Sequence, residues 1–261
     1  MIDGHVHLEN GPLTKEYVLK MVDGAKSRGI DHLQILDHTH RFIEFEPIYK
    51  DHKKCEIQWT NFKKGNFKDS IKEYQNLIKE MRKVNFGIDV KFGLEVCYEP
   101  QYEEIIRELV SDFDYDFLVG SVHAIDGLVY DSSWSKDELW NKYDVDHIYR
   151  RYYENVFKLV ESDIFSQIGH PDTIKMFDIY PTYDLADTYE KLAMLCKKHN
   201  ILVENNVGCY YRYHHKDMGL SDELLSVFKK HGCKMITVSD AHYPEHVGMH
   251  IKDVWEKTMM L

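Results

Sequence analysis

Short apolar runs alternate with amphipathic stretches along nearly the whole chain, so the spacing of apolar positions switches repeatedly between strand-like and helix-like periods. Seven runs of strand length stand out. They end at His5-Val6-His7, Leu36-Asp37-His38, Gly93-Leu94-Glu95, Ser121-Val122-His123, Ile168-Gly169-His170, Val203-Glu204-Asn205 and Ser239-Asp240-Ala241-His242. Helical spacing follows most of them. Residues 16–27 place Tyr17, Val18, Met21, Val22 and Ala25 on one face, with Gly29 available to close the helix. Ser221 is positioned to cap a helix that carries Leu224, Leu225 and Phe228 and stops at Gly232. Further helices are predicted over 68–82, 102–110, 146–160 and 185–198. Strands that alternate with helices pair in parallel. Seven such units predict an α/β barrel with one unit fewer than the eightfold type, and spacing alone leaves a doubly wound open sheet as the alternative. Residues 41–67, rich in Lys, Phe and Tyr, fit neither period. They read as an insertion beside the barrel mouth, within one domain that spans 1–261.

What the strands end in changes the picture from architecture to chemistry. In parallel barrels, ligands and reactive groups project from the C-terminal ends of the strands. Here those ends carry His5, His7, Asp37, His38, Glu95, His123, His170, Glu204, Asn205, Asp240 and His242, which closure would gather at one mouth. Residues i and i+2 of a strand point the same way, so both imidazoles of His5-x-His7 can reach one ion. Taken alone that pair is better read as two ordinary histidines, but Asp240-x-His242 repeats the geometry on the last strand, which closure would place beside the first. A lone histidine is more often a satisfied polar residue than a ligand. His38, His123 and His170, each at the end of an apolar run like Glu95, shift that balance. A mixed set of imidazoles and carboxylates suits Zn, Mn or Fe better than Ca or Mg. The set exceeds the four ligands of a single structural zinc, so it asks for two or three divalent ions, with Glu95 suited to bridge two of them. Such ions activate water near neutral pH and neutralise charge on a phosphoryl group. Neither G-x-S-x-G nor G-x-x-x-x-G-K-[ST] occurs.

Composition narrows the partners. Hydrophobic residues are 43% and charged residues 30%, as in a soluble globular protein, and the 16 histidines are the outlier. The formal charge of −11 comes without a basic stripe, which argues against a nucleic-acid polymer as partner. It still accommodates a small phosphate ester, because bound cations invert the local charge. Five cysteines with no C-x-x-C pair point to a reducing, cytoplasmic setting. The opening Met-Ile-Asp-Gly-His lacks a basic start followed by an apolar run, and no stretch has membrane-spanning length, so neither signal peptide nor membrane partner is expected. Helix patterns leave a homo-oligomer open.

The order H-x-H, D-H, G-x-E, S-V-H, G-H-P-D, E-x-N and S-D-A-H resembles the PHP (polymerase and histidinol phosphatase) family over nearly the whole chain. Phe165 through Gly169-His170-Pro171-Asp172 to Phe177, and Ser121-Val122-His123 followed by Asp126-Gly127 and Asp131, resemble its histidinol-phosphate phosphatase branch. The resemblance implies a distorted, TIM-like (β/α)7 barrel with up to three metals at its mouth. It carries ligand roles onto His5, His7, His38, Glu95, His123, His170, Asp240 and His242. The family commonly has one more His or Asp soon after the first H-x-H. Leu8-Glu9-Asn10-Gly11-Pro12 stands there instead, which makes Glu9 the candidate. An arginine after the E-x-N strand often holds the phosphate, and Arg212 occupies the matching region, with Arg41 as a second candidate. His246 is placed to protonate a leaving alkoxide. Asp37 and Asp172 are read as orienting neighbouring imidazoles rather than as ligands, and Tyr210, Tyr211 and Tyr213 as pocket or packing residues. The implied activity is hydrolysis of L-histidinol phosphate to L-histidinol and phosphate in histidine biosynthesis. The alternatives are a related phosphoesterase acting on a nucleotide or phosphotyrosine, and a non-catalytic PHP module.

Overall fold

A computed structural model describes residues 1–260. Seven strands form one parallel sheet: β1 (Ile2–His7), β2 (His32–Leu36), β3 (Asp89–Cys97), β4 (Phe117–Ser121), β7 (Gln167–Ile168), β8 (Leu202–Asn206) and β9 (Met235–Val238), hydrogen-bonded in that order. A two-stranded antiparallel hairpin, β5 (Ala124–Ile125) and β6 (Leu128–Val129), stands apart from it. The sheet curls until its ends meet. Val6 bridges Ala241 in parallel, and His7 N donates to Ala241 O at 2.8 Å. The open-sheet alternative is thereby set aside in favour of a nearly closed barrel.

Buried Asp3 reinforces that seam. Its carboxylate accepts from Ser239 N (2.8 Å), Ser239 Oγ (2.6 Å) and Gly248 N (2.8 Å), joining the first strand to the last. Hydrogen bonds to a charged group contribute about 1.5–3 kcal/mol each. Burial nevertheless dominates and raises the Asp3 pKa to about 6 against those donors.

The helices lie where the apolar periodicity places them, with ends moved by caps. They are α1 (Lys15–Ser27), α3 (Ile71–Met81), α4 (Glu103–Ser111), α5 (Val145–Glu161), α6 (Ala186–His199) and α8 (Asp222–Lys230). The α3 helix starts later than its apolar pattern because Ser70 takes the cap, its hydroxyl accepting from Lys72 N. Ser221 caps α8 through Leu224 N, and Gly232 follows that helix at a φ of 62°. A helix that the periodicity did not single out, α9 (Ile251–Met260), ends the described residues. Residues 41–67 are not irregular: they hold 3₁₀ turns over Ile43–Lys54 and the short α2 (Glu56–Phe62). A three-residue turn escapes a search at 3.6 residues per turn, yet Phe45, Ile48 and Tyr49 are buried by it and Lys50, Lys53 and Lys54 are exposed. A further short helix, α7 (Gly208–Tyr213), follows β8 and carries Arg212. All five cysteines are free thiols. No helix among the described residues is long and apolar enough to cross a membrane.

Candidate metal centre

His5 and His7 leave β1 on one face, and both Nε2 atoms point into the barrel mouth. They are 2.9 Å apart. Glu95 Oε2, from β3, lies 3.4 Å from His5 Nε2 and 3.6 Å from His7 Nε2. Asp240 Oδ1, just past β9, lies 3.3 Å from His7 Nε2 and 4.0 Å from His5 Nε2. The His5 and His7 nitrogens and an Asp240 oxygen lie close enough together to be offered to one ion, with Glu95 Oε2 beside the two imidazoles. On the far side of Glu95, His38 Nδ1 approaches Oε2 at 2.7 Å, while His123 Nε2 and His170 Nε2 approach Oε1 at 3.3 and 3.0 Å. Glu95 Oε2 thus faces His5, His7 and His38 while Oε1 faces His123 and His170, so this carboxylate would be placed to serve more than one ion. A third group lies outward, where Glu9 Oε1 is 2.5 Å from His242 Nδ1 and Oε2 is 3.7 Å from His38 Nε2. All nine residues expected as ligands are therefore brought together.

The cluster has the electrostatic character of a cation site. Glu95 is fully buried, and the atoms that face its two oxygens are imidazole nitrogens: His38 Nδ1 beside Oε2, and His123 and His170 Nε2 beside Oε1. Burial opposes charge on Glu95, yet the charges of His38, His5 and His123 hold its pKa well below the carboxylate range. Asp240 is likewise held well below its ordinary value, against burial, chiefly by Arg212. Burial, with the charges of His38 and His242, drives His7 well below its ordinary value, which leaves a neutral imidazole able to donate a lone pair. Against burial, Glu95 and Glu9 push His38 up to about 9.

Surrounding residues fix the ligands. Glu204 Oε1 accepts from His5 Nδ1 at 2.7 Å, and Oε2 from His170 N at 3.0 Å, which sets the tautomer that turns His5 Nε2 to the mouth. His170 and Asp240 sit at φ of 26° and 56°, uncommon values for residues with side chains and of the kind that gathers at functional sites.

Several expectations are corrected. Asn205 faces away from the mouth, toward Leu220 N and Thr258, and its neighbour Asn206 reaches Asp240 instead, as the alternation of a strand requires. Arg41 is not free to hold phosphate. It is buried against Asp37, Asp69 and the carbonyls of Leu8 and Gly11. Asp37 binds Arg41 and the His38 backbone N–H rather than an imidazole. Asp172 binds Lys175 and Ser221 N, and does not orient the His170 ring.

A cavity of about 570 Å³ opens over the cluster. Its walls include Arg212 and Tyr213 from α7, His246, Phe62 from α2, and Asp131 and Trp134 beyond the hairpin. Arg212 Nη2 donates to Asp240 Oδ2 at 2.6 Å, and its buried Nε has no hydrogen-bond partner among the described residues. Gly208 lets α7 approach this closely: a Cβ there would sit 2.7 Å from Asp240 Oδ2 and 2.9 Å from Arg212 Nη2. His246 packs edge-on against Tyr211 (5.5 Å) and Tyr243 (5.7 Å). Tyr210 and Tyr211 pack on His250 rather than lining the cavity.

The family profile described as the PHP domain matches residues 3–207. The chain belongs to the PHP domain family. Among PHP relatives, it is 28% identical over 189 residues to a Deinococcus radiodurans protein named "Probable histidinol-phosphatase", covering 71% of this chain and 70% of that protein. A Schizosaccharomyces pombe protein of the same name is 24% identical over 200 residues, covering 70% and 64%. A solved structure of histidinol phosphate phosphatase from Lactococcus lactis, complexed with zinc, L-histidinol and phosphate, aligns over 98% of this chain and 93% of that one. Its TM-score is 0.65 at 18% identity, a likeness in fold.

Proposed function

We propose that this PHP protein is a cytoplasmic metal-dependent phosphomonoesterase that hydrolyses L-histidinol phosphate to L-histidinol and phosphate in histidine biosynthesis. The observation that carries the reading is the ring of ligand atoms around Glu95 at the floor of a cavity that also holds Arg212. The names borne by its relatives supply the substrate. The whole of 1–261 acts as one barrel domain, with 41–67 as an insertion at the mouth.

Two or three Zn, Mn or Fe ions fit the ligand set: His5, His7, Glu95 and Asp240 for one, Glu95, His123 and His170 for the next, and Glu9, His38 and His242 for a third. Bound there, they would supply Lewis acidity to the phosphoryl oxygens and activate water for in-line attack. Arg212 offers its unpartnered Nε–H to a phosphoryl oxygen while Asp240 steadies the other edge of the guanidinium. His246 passes a proton to the departing alkoxide. Asp131 presents a carboxylate from the wall formed with Trp134, suited to the cationic groups of L-histidinol. Glu204 holds His5 in register throughout.

The test is turnover of a panel of phosphomonoesters by protein loaded with Zn, Mn or Fe, with His123→Ala as control. The expected result is preference for L-histidinol phosphate that disappears in the control. Turnover of a bisphosphonucleoside or a phosphotyrosine peptide instead would place the chain in another branch of the family, and no turnover at all would leave a non-catalytic module.

A further inference from the structure

The loop after the first H-x-H supplies Glu9, a carboxylate, to the outermost group of candidate ligand atoms. A further imidazole stands beside it. His40 lies on the 3₁₀ turn Thr39–Arg41, two residues after His38. Its ring stacks on His38, with centroids 4.4 Å apart and planes at 19°. Both Nε2 atoms consequently face one oxygen: Glu9 Oε2 is 3.7 Å from His38 Nε2 and 3.8 Å from His40 Nε2. These separations are too long for hydrogen bonds, which close at about 2.7–3.2 Å. They match two ligand atoms on either side of a cation held at about 2.0–2.2 Å from each.

The placement is anchored rather than incidental. Buried Arg41, the residue after His40, donates from Nη1 to Leu8 O (2.9 Å) and from Nη2 to Gly11 O (3.0 Å), the two ends of the loop that carries Glu9. One guanidinium therefore holds both ligand-bearing segments in register, while Asp37 and Asp69 neutralise it. Thr39 Oγ1 and Tyr49 Oη, 2.7 Å apart, pin the turn from the other side. His40 also lines the cavity above the cluster, within reach of solvent ions.

We infer that His40 is a metal ligand, which completes with Glu9, His38 and His242 the outermost cation site of this chain. The inference rests on the metal-centre reading only for the presence of cations. The experiment counts ions and needs no substrate, so failure to hydrolyse L-histidinol phosphate would leave it standing. Zinc bound per chain at dialysis equilibrium is measured for wild type and His40→Gln. The expected values are three for wild type and two for the variant, with the two remaining ions held as tightly as before. Three in both proteins, or two in wild type, would overturn the assignment. Should His40→Gln fail to fold, zinc anomalous scattering from wild-type crystals decides: a peak about 2.0–2.2 Å from His40 Nε2 supports the site, and its absence there refutes it.

Discussion

At the scale of single residues, the proposed centre separates groups offered to an ion from groups that aim them. His5 reaches the mouth because Glu204 holds its Nδ1, and Arg212 faces the cavity because Asp240 anchors its Nη2 and Gly208 leaves room. Arg212→Ala removes a donor aimed where phosphoryl charge develops. Losing one such donor costs on the order of 10²–10³ in kcat, so kcat/KM should fall by about that factor while zinc content stays at the wild-type level. Steady-state kinetics with metal analysis checks both, and a rate within twofold of wild type would remove Arg212 from the mechanism. The i, i+2 spacing made His5-x-His7 and Asp240-x-His242 legible from the chain alone. The same spacing in His38-x-His40 is no such signal, because the pair runs into the 3₁₀ turn Thr39–Arg41 and only the folded turn brings both rings to Glu9. Arg41 misleads in the opposite direction. Its position beside a ligand suggested phosphate contact, whereas Asp37 and Asp69 draw it into the interior.

At the scale of elements, the barrel strands and most helices were legible because each buries one face and so keeps its period. What was missed lacks room for a period: β5 and β6 are two residues each, α7 is six, and the turns over Ile43–Lys54 follow a three-residue repeat. These short pieces build the cavity walls, while the longer strands build the floor. That division yields a prediction. Replacing 55–67 with a short Gly/Ser linker removes Asn61, Phe62, Gly65 and Asn66 from the wall but no ligand of the floor. KM for L-histidinol phosphate should rise about tenfold with kcat within a few-fold of wild type, the pattern of lost ground-state contacts. A fall in kcat with unchanged KM would assign the segment to the chemical step instead.

At the scale of the whole molecule, closure does the work of assembly. Candidate ligands drawn from residues 5 to 242 converge because Asp3 ties β1 to Ser239 and Gly248, which sets the first strand beside the last. The chain carries a formal charge of −11, with Glu9, Glu95 and Asp240 all at the mouth, a field that would repel an anionic ester. Cations held in the cluster would reverse that field locally, so on the proposed reading binding and chemistry both depend on them. The most direct measurement is therefore phosphate release from L-histidinol phosphate by wild-type protein and Glu95→Gln, each stripped with chelator and then reloaded with zinc, manganese or iron. The account predicts that stripping abolishes release, that at least one metal restores it in wild type, and that none restores it in Glu95→Gln. Undiminished release by stripped protein, or full restoration in Glu95→Gln, would contradict a hydrolysis that depends on cations bridged by Glu95.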